Sequence, residues 1–223
     1  MATRAQRNER RTDALSKDRI IEAAIEILDS DVEGALTFRA LSARLATGAG
    51  AIYWHVANKD ELLAAATDAV VTRAMTARAV GGDPREAVRR IASGLFDAID
   101  AHPWVGTQLS REPWQPAVLQ VLDAFGRQLS ALDVPEHAQF YAASALVSLV
   151  LGVAGQYAAG ARLLGRETDR PEFLARVAEG WAQLDPAEYP FVHRVAPQLA
   201  EHDDREQFLA GIDLLLAGVT TLG

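Results

Sequence analysis

Apolar residues recur at helical spacing along most of the chain, and each run is closed by Gly, Pro or a capping side chain. Ser16 caps a first helix in which Ile20, Ala23, Ala24, Ile27 and Leu28 share one face, ending in the polar stretch 29–34. Thr37 is an N-cap, and Leu41 and Leu45 then predict a short helix over 38–45. Residues 46–48 form a turn. A second short helix over 49–55 turns Ile52 and Val56 inward, and Asn58 caps a third helix that nothing breaks before Gly81 and Gly82, so it runs to about Val80. Two short helices joined by about three residues fit helix-turn-helix geometry, in which the second helix enters the DNA major groove.

The same reading predicts a helix over 84–101, opened by Asp83 and Pro84 and ended by His102 and Pro103. Residues 104–115 are short and broken by Pro113 and Pro116. Further helices follow over 116–132, from Pro135 to near Leu164, over 171–184, over 191–199 and over 203–221. With no internal repeat and no strand pattern, the fold is all-α: an N-terminal three-helix domain, then a larger helical one.

Charge refines this picture. The 223 residues carry a net charge of −8, yet residues 1–60 hold equal numbers of basic and acidic side chains. Over 35–59, Arg39, Arg44 and Lys59 stand without an acid, so the proposed DNA face is locally positive while the remainder repels DNA and orients that face. The arm over 1–15, with Arg4, Arg7, Arg10 and Arg11, is expected to be disordered when free. It is either a solvated tail or an arm that lies on phosphates or reaches the minor groove. No apolar run follows it, so it is not a signal peptide. Residues 138–161 lack charge and are long enough to cross a bilayer, but their Gln, Ser, Ala and Gly content reads as a buried helix of a soluble protein. There is no Cys, which excludes disulfides and thiolate chemistry and suits the cytoplasm.

Leu36-Thr37, Arg39, Leu41 and Leu45, then Ile52-Tyr53-Trp54-His55-Val56, Asn58-Lys59 and Leu62-Leu63 closely resemble the DNA-binding domain of the TetR family, the tetracycline-repressor branch in particular. The resemblance runs from about Ser16 to Leu63. It implies that Tyr53 and Lys59 hold the DNA backbone, and that Arg39 stands at a position that contacts a base; an Arg can grip guanine bidentately. The alternatives are core packing for Tyr53 and Trp54, a phosphate contact for Arg39, and for His55 either a phosphate contact or closure of the turn. Thr37, Thr47, Ala49, Gly50 and Ala51 complete the candidate DNA face. Because Gly48, Ala49, Gly50 and Ala51 have no side-chain donor where relatives place polar residues, direct base readout should be thin and DNA shape should matter.

The resemblance also implies a homodimer joined through a four-helix bundle. Ala142, Ala145, Gly152, Gly155 and Gly160 give the long helix a small-residue surface for another helix, and the final helix is apolar. A two-fold dimer requires a palindromic operator. The organisation expected is a basic arm over 1–15, a DNA-binding domain over 16–66 and an effector-binding and dimerisation domain over 67–223.

Phe96, His102, Trp104, Gln108, Trp114, Gln156, Tyr157 and Trp181 are candidates to line a pocket for a small apolar or aromatic effector, each with core or surface packing as its alternative. Tetracycline repressors hold their drug as a metal chelate through a His shortly before a Pro. Gln108 takes that place here, so no magnesium-tetracycline site, metal or cofactor is expected. The chain has no phosphate-binding Gly loop, GxSxG elbow or Cys nucleophile, which argues against an enzyme. The reading is therefore a ligand-responsive DNA-binding repressor; the alternative is a DNA-binding regulator whose second domain binds a protein or no ligand.

Overall fold

Capping side chains start the helices where the pattern places them. The computed structural model describes residues 15–30, 35–76, 82–112, 114–164 and 170–219, with the backbone alone at 157–159 and 161–164. Nearly all of the basic arm, most of the polar stretch 29–34, the stretch towards Val80 and the last four residues lie outside the described residues. Ser16 Oγ accepts the Arg19 amide at 3.3 Å and opens α1 (Lys17–Ser30). Its buried face is the predicted one plus Ile25, because α4 and α6, as well as α2, pack around it. Thr37 Oγ1 accepts the Ala40 amide at 3.1 Å and opens α2 (Phe38–Arg44). This helix ends through Ala46 at φ 49°, which lets the Thr47 amide reach back to the Ser42 carbonyl at 3.0 Å.

After α3 (Ala49–Tyr53), Asn58 and Glu61 cap α4 (Lys59–Thr76) reciprocally. Asn58 Oδ1 accepts the Glu61 amide and Glu61 Oε2 accepts the Ala57 amide, both at 2.8 Å. The Ala57 amide, assisted by Lys17, holds the Glu61 carboxyl below the usual carboxylate range. Ile20, Leu36, Leu41, Ile52, Val56 and Leu62 bury together and set the angle between α2 and α3.

The larger part comprises α5 (Pro84–Ala101), α6 (Pro103–Arg111), α7 (Pro116–Ala131), α8 (Glu136–Leu164), α9 (Arg170–Ala182), α10 (Pro190–Ala200) and α11 (Asp204–Val219). Residues 104–115 are more regular than their prolines predict. Pro103 sits in the first turn, where a missing amide is harmless, and Trp104, Val105 and Leu109 bury one face of α6 through to Arg111. The buried side chain of Gln115 then caps the helix, its Nε2 donating to the Gln108 and Glu112 carbonyls at 3.0 Å each.

Helix α8 is central, packed against α5, α6, α7 and α11. Its segment Glu136–Gln156 has the length and a mean hydropathy of 1.6 that would suit a membrane. The side carrying Ala138, Ala142, Leu146 and Val150 is instead buried in the protein core. The small residues of α8 divide: Ala142 faces this core and Gly155 faces Ser110 of α6, while open space surrounds Gly152 and Gly160. Helix α6 approaches α8 closely from its own side too, since a Cβ on Gly106 would lie 2.5 Å from the Ala154 carbonyl oxygen. Arg89 pairs with Asp213, and Arg205 with Asp97, tying α5 to α11. One continuous apolar core runs from Ile20 to Val219, and α4 crosses residues 66 and 67 within it without a break. Helices α9 and α10 pack chiefly on each other; Leu174, Ala178 and Ala196 are buried outside that core.

Candidate nucleic-acid interface

The turn after α2 and the buried Ile52 leave one side of α3 facing solvent. Tyr53 is 53% exposed and stacks on Phe38 of α2, ring centroids 4.4 Å apart and planes 13° from parallel. Trp54 is 90% exposed. Neither packs in the core. The stack holds the Tyr53 ring at the surface instead of burying it, and sequence reading gave Phe38 no such part. Arg39, Ala49, Gly50 and Ala51 are exposed, Thr47, His55 and Lys59 are half-buried, and Thr37 spends its hydroxyl on the cap. The His55 backbone amide closes the turn onto Ile52 at 2.9 Å. A Cβ at Gly48 or Gly50 would meet nothing within 4 Å, so the surface there is bare backbone and small side chains.

The local positive charge is smaller than the count of cations suggests. Arg44 turns back to α1, its Nε donating to Glu26 Oε2 at 2.7 Å, so part of its charge is offset by an acid that lies outside residues 35–59. A surface with a guanidinium, an ammonium, a phenol and an indole suits the sugar-phosphate edge of a groove, with few donors for base edges.

The residues predicted to line an effector pocket do not gather at one place. Phe96 stacks on Phe208 between α5 and α11 at 5.5 Å, Gln108 is half-buried at the end of α6, and Trp114 is 84% exposed. Gln156 is exposed, the Tyr157 side chain lies outside the described residues, and Trp181 sits on α9. His102 and Trp104 do meet. His102 Nδ1 and Trp104 Nε1 both lie 2.7 Å from Asp29 Oδ1 of α1, joining the α5–α6 corner to the three-helix head. The sequence places Asp29 at the start of the polar stretch that ends the helix and gives it no partner; it lies instead in the last turn of α1, where an acid opposes the helix dipole and calls for one. His102 also borders an open cleft of about 340 Å³ between α4 and α5.

Residues 20–66 match the family described as "Bacterial regulatory proteins, tetR family", and residues 79–222 match "Tetracyclin repressor-like, C-terminal domain". The transcriptional regulator SCO7222, a TetR from Streptomyces coelicolor, is 52% identical with a TM-score of 0.84, covering 94% of this chain and 99% of that one. ActR from the same organism, solved in complex with actinorhodin, shares the fold at 24% identity with a TM-score of 0.75, over 92% and 95% of the two chains. An HTH-type transcriptional regulator of Saccharopolyspora erythraea is 33% identical over 110 residues, 49% of this chain and 47% of that protein, so the match spans about half of that relative's length. Such proteins are transcription factors, not enzymes. With an exposed face on a helix-turn-helix, and family matches over both the head and the helices beyond it, the chain belongs to the TetR family of bacterial DNA-binding regulators.

Proposed function

We propose that the protein is a cytoplasmic, homodimeric repressor that binds a palindromic operator through residues 16–66 and is released by a small apolar or aromatic effector bound within residues 67–223. The observation that carries this reading is the solvent-facing set Arg39, Tyr53 and Trp54 around α3, a cationic and aromatic group for which the core has no use. Arg39 reads a base, Tyr53 and Lys59 hold phosphates, and Ala51 touches a thymine methyl. Dimerisation is supported by α8 and α11, which lie side by side and expose Phe140, Tyr141 and Leu214. A second copy of the chain covers these residues and places two heads about one DNA turn apart. The effector acts by favouring the arrangement in which the heads no longer fit successive major grooves.

Selection of bound duplexes from a random DNA pool at physiological salt, with no ligand added, tests the reading. An inverted repeat is the expected product. Recovery of no motif, or of a single half-site, would overturn the dimeric operator-binding reading.

A further inference from the structure

Two acids of α1 are held from the same side of the molecule. Glu22 and Asp29 are seven residues apart, two helical turns, and so share one face of α1. Arg73 of α4 grips the Glu22 carboxylate with both terminal nitrogens, and His102 and Trp104 hold Asp29. Arg73 and His102 are also walls of the cleft between α4 and α5, whose other walls include apolar Val70, Ala74 and Ala98. The one acid among them, Asp97, is offset by Arg205, whose Nε donates to it at 2.9 Å. An open cleft at the lower end of the volume range of ligand sites thus has an apolar side and two groups that already hold carboxylates.

We propose that this cleft is a regulatory site for a small carboxylate with an apolar body, which displaces Glu22 from Arg73 and Asp29 from His102 and so loosens α1 from the larger domain. The bidentate fork of Arg73 accepts the incoming carboxylate as it accepts Glu22. Both existing ties are partly exposed to solvent and individually weak, so a ligand that adds apolar contact competes with them. Because α1 packs directly on α2 and α4, its release re-aims the head. The inference rests on the ligand-responsive reading above and gives the effector a chemical class and a place.

Trp104 reports on the clasp through its indole N–H resonance, assigned with a Trp104→Phe variant of the full chain. Benzoate is the probe, with uncharged benzamide as its control. A saturable shift with benzoate alone is expected, with binding about tenfold or more weaker in Arg73→Gln and a few-fold tighter in Glu22→Gln, which removes the competing acid. Benzoate should also lower operator affinity several-fold in the native protein and leave Arg73→Gln unaffected. No saturable shift, an equal response to benzamide, or indifference to both variants would overturn the site, and a shift with unchanged operator affinity would overturn its regulatory part. A protein that selects no operator even without benzoate fails the repressor reading instead, and the indole titration still decides the site.

Discussion

Ala46 and Asp133 are non-glycine residues with positive φ, 49° and 58°. Each ends a helix, and in each case the next amide reaches back five residues, Thr47 to Ser42 and Val134 to Leu129. An L-side chain in this region costs about 1–2 kcal/mol, part of which glycine recovers against its greater freedom when unfolded. Ala46→Gly should therefore stabilise the protein by about 0.5–1 kcal/mol. The check is a thermal melt, with Tm expected to rise by about 1–4 °C. Asp68 illustrates an ionisable residue in an awkward place. It accepts from Gln120 Nε2 at 2.7 Å across the α4–α7 contact, and burial raises its pKa above the usual Asp value. A carboxyl raised in the folded state contributes most at low pH, and that contribution is lost as pH rises through the folded value. Asp68→Asn keeps the acceptor and removes the charge. Its Tm should exceed that of the native protein at pH 7, and the difference should close as pH falls into the carboxylate range.

Among elements, the α6–α8 contact leaves no room for a side chain at Gly106. A Cβ at Gly106 would lie 2.5 Å from the Ala154 carbonyl oxygen and 3.2 Å from its carbon, both backbone atoms of a long helix that cannot move aside alone. Gly106→Ala should destabilise by about 1–3 kcal/mol, measured by chemical denaturation. The α2–α3 element makes the opposite kind of prediction, on binding and not on folding. Arg39→Ala should reduce binding to the cognate duplex while leaving scrambled DNA nearly unchanged, whereas Lys59→Ala should weaken all duplexes alike and reduce the salt dependence. Fluorescence anisotropy on both duplexes at two salt concentrations separates these; equal loss on both for Arg39→Ala would remove its base-reading role. Helix boundaries were largely legible in the chain because caps are local: Ser16, Thr37, Asn58 and Asp83 each bond an amide two or three residues onward. Residues 104–115 were less so, because burial of Trp104 and Leu109 by other helices sustains α6 where its flanking prolines suggest a break.

At the scale of the whole molecule, Leu214 is 75% exposed on α11, which packs beside α8, and belongs to the face proposed above to meet a second copy of the chain. Leu214→Glu should shift the protein towards monomer in analytical ultracentrifugation and lower operator affinity at low protein concentration, with helicity retained. The chain by itself determined the all-α class, the helix order and the helix-turn-helix, because periodicity, capping and a dense local motif all act within a few residues. It also carried the aromatic and basic residues of the proposed DNA face. Only the tertiary structure decided how these are used: that Tyr53 stacks on Phe38 while Trp54 stands in solvent, and that Arg44 is spent on Glu26. It likewise decided that His102 and Trp104 face Asp29, some seventy residues earlier, whereas Phe96 turns to Phe208. Such partners are chosen by how helices cross, which depends on side chains far apart in the chain, and no spacing within one helix encodes it.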